Sequence, residues 1–103
     1  MILFLGLGIS LPVILTYEKE RVINIESDDD FRKYKFEGDG THLSPYIIEY
    51  LNLVDEEKVA ISISNTNSYF IIRHNYLENN LLCGIRLIAI RTGTAQIYNN
   101  TII

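Results

Sequence analysis

"YFIIRHNYL", residues 69–77, is echoed twice in the chain: its core "IIRHNYL" matches "IIEYLNL" (47–53) and "QIYNNTI" (96–102). The echo holds its register. Ile48, Ile72 and Ile97 follow one another at intervals of 24 and then 25 residues, and so do Leu53, Leu77 and Ile102, and Tyr46, Phe70 and Ala95. A second set keeps the first interval: "AISI" (60–63) recurs as "GIRL" (84–87), placing Ile61 over Ile85 and Ile63 over Leu87. One residue inserted between Leu87 and Ile97 accounts for the longer interval. The match fails before about Gly38, where charged residues fall at positions that should be apolar.

A self-similarity period of roughly 20–50 residues marks a solenoid or related array. Each unit here holds short runs such as "VAISIS", "YFIIR" and "YLE", separated by Asn, Ser, Thr and Gly. Apolar residues alternate within each run, so one side points inward and the other outward, as strands require and helical repeats do not. A coil of about 24 residues built of several short strands predicts an all-β parallel β-helix, with about two to three coils over residues 38–103. Successive coils stack about 4.8 Å apart through parallel strand pairing. Ile then lies over Ile, and Leu over Leu or Ile. Asn75 and Asn100 share a turn position, with His74 and Asn99 one residue earlier, and stacked Asn at turns can hydrogen-bond along the column. Glu49, Arg73 and Tyr98 form an outward column, in which Arg73 can pair with Glu49 and lie on the Tyr98 ring.

Composition narrows the function. The 103 residues carry a formal net charge of −4, seven tyrosines and no tryptophan. The largest basic cluster is "FRKYK" (31–35), flanked by acids, which argues against a nucleic-acid partner. The single cysteine, Cys83, excludes an internal disulfide or a multi-cysteine zinc site and reads as a small packed hydrophobe. The acidic run at 28–30 lacks the spacing and terminal Glu of an EF-hand loop, and reads as a helical turn capped by Ser27 or an Asp.

The chain divides into three: residues 1–16, 17–37 and 38–103. The first, "MILFLGLGISLPVILT", has no charged side chain and is shorter than the ~20 apolar residues of a comfortable bilayer span. It reads as the apolar part of a secretory signal or as a short membrane anchor, with a buried element of the fold as the alternative. No Lys or Arg precedes it. Residues 17–37 are a charged connecting or capping region in which "RVINI" (21–25) alternates as a short strand would. "EGDG" (37–40) is a turn signal, and Pro45 marks an extended start to the next run.

On these residues a family resemblance can be stated. "GDGTHLSPYIIEYLNL" (38–53) resembles the opening G-x-G-T…PYII segment of the NosD-like right-handed parallel β-helix proteins, within the wider pectin-lyase-like group of carbohydrate-binding and sugar-hydrolase repeats. "ISISNTNSYFIIRHNYLENN" (61–80) resembles that family's coil, and "GIRLIAIRTGTAQIYNNTI" (84–102) the next one. The resemblance implies a right-handed single-stranded coil and an exported or surface-attached protein. It implies polysaccharide binding or cleavage, as in some members, or copper-site maturation, as in others. Members commonly stack more coils, so this chain reads as a short or truncated one. Its last coil would leave an edge open to edge-to-edge self-association.

Candidate chemistry is sparse. A sugar hydrolase needs two carboxylates facing one glycosidic bond. Glu49 and Glu78 are not at equivalent positions, and Asp39 and Asp55 lie in loops, so no catalytic residue is assigned. Metal binding would fall to His42 and His74, weak candidates that no motif joins, and no cofactor is expected. Tyr50, Tyr69 and Tyr98 beside Arg73 can stack on sugar rings and bond their hydroxyls, which makes them the carbohydrate-contact candidates. The sequon "NNT" (99–101) is consistent with export, although Asn99 is expected to be hidden by the stack. The leading expectation is a non-catalytic extracellular or surface module for polysaccharide or cell-surface glycan. A NosD-type copper accessory protein and a fragment of a polysaccharide-active enzyme are the alternatives.

Overall fold

The computed structural model describes residues 22–55 and 58–103; the apolar segment 1–16 lies outside the described residues. Nine strands and one short 3-10 helix follow in order: β1 (Ile23–Ile25), the helix (Asp28–Tyr34), β2 (Tyr46–Glu49), β3 (Asn52–Val54), β4 (Val59–Thr66), β5 (Phe70–Arg73), β6 (Tyr76–Glu78), β7 (Cys83–Ile90), β8 (Ala95–Tyr98) and β9 (Thr101–Ile102). They form three parallel sheets of three strands, ordered β1-β4-β7, β2-β5-β8 and β3-β6-β9. The chain visits the three sheets in turn and returns to each one strand further along. The fold is therefore all-β, an arrangement compatible with a parallel β-helix.

The pairings are those of the sequence echo. Ile48 pairs with Ile72 and Ile72 with Ile97; Leu53 pairs with Leu77 and Leu77 with Ile102; Ile61 pairs with Ile85 and Ile63 with Leu87. The interval of 24 holds as far as Thr66↔Ile90 and changes at Phe70↔Ala95, so the extra residue belongs to the corner "RTGT" (91–94), opposite "NSY" (67–69). Inward residues of β2 to β6 are sealed: Ile48, Leu53, Ile61, Ile63, Phe70, Ile72 and Leu77 are all 0% exposed. Their equivalents in the last coil are not, with Ile97 at 45% and Ile102 at 52%.

The stack begins earlier than the echo. Ile23–Ile25 pairs with Ile61–Ile63, at a separation of 38 residues rather than 24. The added length holds the 3-10 helix and the loop that follows, so the period is interrupted there rather than absent. Ser27 occupies the N-cap without a side-chain capping bond, and the helix stops at Lys35, whose φ of 57° is left-handed. Asp28 instead reaches across to β4 and its corner, accepting from the Thr66 hydroxyl, Asn67 N (3.0 Å) and Ser68 Oγ (3.0 Å). Asp29 pairs with Arg32 at 2.5 Å and Asp30 with Lys33 at 3.0 Å.

This docking seats Phe31 in the core. Its ring is fully buried, stacked on Tyr46 at 4.5 Å and tilted against Phe70 at 5.8 Å. Phe31 thus packs against the two aromatic members of the Tyr46–Phe70–Ala95 column. The "EGDG" turn behind it needs its first glycine: Gly38 has φ +98°, and a Cβ there would fall 2.0 Å from the Pro45 carbonyl oxygen. Cys83 is half-buried, its thiol 3.6 Å from the Ile85 carbonyl oxygen, so it packs less deeply than a core position would. Among the described residues, no helix is long and apolar enough to cross a membrane.

Candidate functional site

The outward columns of the β2-β5-β8 sheet carry most of the candidate residues. Glu49, Arg73 and Tyr98 pair across the three strands, and Arg73 sits between its neighbours. Its Nε donates to Glu49 Oε1 at 2.9 Å and its Nη1 to the Tyr98 hydroxyl at 3.2 Å. Arg73 therefore meets Tyr98 at the hydroxyl rather than across the ring face. The Tyr98 hydroxyl and then the Glu49 carboxylate raise the Arg73 pKa above its ordinary value, so its charge is permanent and already matched.

The corner after each strand adds aromatic surface. Tyr50, His74 and Asn99 all hold left-handed φ, at 61°, 57° and 56°. The corner is itself a ladder: Tyr50 N donates to His74 O (3.0 Å), and His74 N to Asn99 O (2.9 Å). The Tyr50 and His74 rings consequently stack, centroids 5.8 Å apart and planes 11° from parallel, while the Tyr98 ring meets His74 edge-on at 6.4 Å. Tyr50 is 73% exposed and Tyr98 39%, so both offer ring surface to solvent.

A pair of amides, Asn75 buried and Asn100 half-buried, fixes this corner from behind. Asn75, 3% exposed, accepts Leu51 N at its Oδ1 (3.0 Å) and donates its Nδ2 to Ile48 O and Asn100 Oδ1, both at 3.0 Å. Asn100 repeats the pattern one coil on, accepting Asn75 N at 3.1 Å and donating to Ile72 O at 2.9 Å. Asn99, beside it, is exposed rather than hidden by the stack.

Tyr69 is elsewhere. It precedes β5 at the opposite end of the sheet, where its ring meets His42 edge-on at 5.3 Å. His42, Pro45, Tyr69, Ile71, Thr94 and Gln96 line a shallow cleft of about 110 Å³ there. The four residues of β5, at about 3.3 Å each, separate this cleft from the Tyr50–His74–Tyr98 cluster. The structure thus gathers Tyr50, Arg73 and Tyr98 with His74, and sets Tyr69 apart with His42. Outward-facing Ile71 and Gln96 bridge the two ends on one face. The sequence reading passed over both, although strand alternation from Arg73 marks Ile71 as outward.

The two histidines, at opposite ends of the sheet, do not converge. Among the described residues no group of three or more His, Cys, Asp or Glu is placed to hold a metal ion. Glu78 lies on β6, in another sheet, where it accepts from the Tyr76 hydroxyl and so raises the Tyr76 pKa. A second, larger cleft of about 260 Å³ lies on the outer face of the β1-β4-β7 sheet, lined by Asn24, Glu26, Lys58, Ser62, Leu82 and Arg86. No family model, curated protein or solved structure matches this chain.

Proposed function

We propose that this chain is a section of a right-handed parallel β-helix that binds uncharged polysaccharide along the outer face of the β2-β5-β8 sheet, as a non-catalytic module exported or tethered through residues 1–16. Two arguments support the coil. The chain returns to each sheet in strict rotation, and parallel crossover connections are right-handed in about 98% of cases. The resemblance to NosD-like repeats over residues 38–103 agrees with that hand.

The single observation that carries the ligand class is the Glu49–Arg73–Tyr98 column. Its one cation is paired with its one carboxylate, so the column carries no unmatched charge to attract a charged sugar. What remains is ring surface at both ends, Ile71 between, and the amide of Gln96. Rings stack on the apolar faces of pyranoses, and the amide and phenol groups bond hydroxyls.

Affinity electrophoresis of the full chain in gels containing a neutral glucan or polygalacturonate tests this. Retardation by the neutral polymer, insensitive to salt, is expected. Tyr50→Ala and Tyr98→Ala should each weaken it roughly three- to tenfold, since an aromatic contact is worth about 0.5–1.5 kcal/mol. Salt-sensitive retention by polygalacturonate alone would replace the ligand class, and retention by neither polymer would remove the reading.

A further inference from the structure

The rings on the outer face of the β2-β5-β8 sheet stand in two groups, one beyond each end of β5. Tyr50 and His74 stack at the corner that follows the strands, and Tyr69 meets His42 at the corner that precedes β5. Alternation back from Arg73 puts Ile71 and Tyr69 on the same outward face, and Ile71 lies beside Ile47 of the adjacent strand. The route from one ring group to the other therefore crosses two half-buried isoleucines and then the Glu49–Arg73 pair. From this arrangement, and resting on the reading of this face as a glycan surface, we infer that the two groups are subsites for one extended β-1,4-linked glucan chain. The chain lies along the strands rather than along the stack, and a tetrasaccharide is the fragment that fills both subsites.

Length sets that minimum. The four residues of β5 span roughly 13 Å, at about 3.3 Å each. Each pyranose of an extended glucan advances less than two strand residues do. A disaccharide resting on Tyr50 and His74 thus stops short of Tyr69, and a tetrasaccharide reaches it. The middle of the path suits the middle of such a chain: Ile47 and Ile71 offer an apolar floor to ring faces, and Glu49 and Arg73, matched in charge, can still bond hydroxyls.

A glucan running along the stack finds less. From Tyr50 and His74 it meets Asn99 on the next coil, and from Ile47 and Ile71 it meets Gln96, neither of which carries a ring. The path across the sheet lies within the stack, since His74 is paired onward with Asn99 and Ile71 with Gln96. A ligand that fills both subsites binds the second as an intramolecular event, so it should hold more tightly than one that fills a single subsite.

Isothermal titration calorimetry of the full chain with cellobiose and cellotetraose, beside retardation in gels of hydroxyethylcellulose, is the test. Cellotetraose should bind roughly tenfold tighter than cellobiose. Tyr50→Ala and Tyr69→Ala should each bring the tetrasaccharide down to about the affinity of the disaccharide. His42→Ala, at the same subsite as Tyr69, provides an independent disruption if Tyr69→Ala loses its strand spectrum in far-UV circular dichroism. Retardation by the polymer with no gain from cellobiose to cellotetraose overturns the spanning chain and leaves the face a glycan surface. Loss of affinity in Tyr50→Ala alone, with Tyr69→Ala and His42→Ala at wild-type strength, overturns it too, and turns the glucan along the stack. Binding of neither polymer nor tetrasaccharide removes the span together with the reading it rests on.

Discussion

Asp28 shows how one side chain can hold an inserted segment to a repeat that did not need it. Its carboxylate takes donors from Thr66, Asn67 and Ser68, and among the described residues no basic side chain is hydrogen-bonded to it. The Thr66 hydroxyl is the chief cause of its depressed pKa, outweighing the partial desolvation that opposes it. A carboxyl whose folded pKa lies below the unfolded value stabilises the fold fully above the unfolded value, near 3.9, and loses that contribution as pH falls through the folded one. Because the site is largely exposed, its worth is modest. Asp28→Ala should lower stability at pH 7 by about 1 kcal/mol, and the gap from wild type should narrow at a pH below the unfolded value near 3.9. Urea midpoints at the two pH values measure it. The residue was visible in the sequence as part of an acidic run; its partners, some 40 positions away, were not.

At the scale of the element, the corner that follows β2, β5 and β8 repeats its backbone faithfully. Tyr50, His74 and Asn99 share one left-handed conformation with three different side chains, because the backbone ladder and the amides behind it, rather than glycine, hold them there. Asn75 satisfies groups on two coils and is nearly sealed from water, while Asn100 has one open side. Asn75→Ala should therefore cost about 2–3 kcal/mol and Asn100→Ala about 1 kcal/mol, by the number of buried groups each strands. Chemical denaturation of the two variants would rank them. These columns were legible beforehand because inward residues in a coil can only be replaced by their like, which makes Ile48, Ile72 and Ile97 recur. β1 was harder to place in the stack. Its three residues alternate as a strand should, but the insertion carrying Phe31 breaks the interval that would have aligned them. Tyr69 and Tyr98 looked like neighbours for a related reason: alternation tells which face a side chain takes, not which end of the strand it stands beside.

For the molecule as a whole, the gradient of burial along each column sets where stability resides. Ile72 and Ile97 are the same residue in the same column, one sealed and one 45% exposed. Ile72→Ala should cost 2–5 kcal/mol, roughly, as a cavity in the core. Ile97→Ala should cost less than about 1 kcal/mol. Equal penalties in thermal or urea unfolding would mean that Ile97 is packed as tightly as Ile72.

The corner "RTGT" has a practical side. It carries one residue more than its counterpart, yet the pairs on either side, Thr66↔Ile90 and Phe70↔Ala95, stay in step. Gly93 at its tip faces open space, so added residues meet no neighbour there, although its φ of +83° reserves that one position for glycine. Lengthening a loop is cheap, about 0.6 kcal/mol for each doubling. This corner is thus a natural grafting point, where an epitope or a randomised loop could be inserted to reshape the neighbouring cleft of His42 and Tyr69 while the strands beneath keep their order.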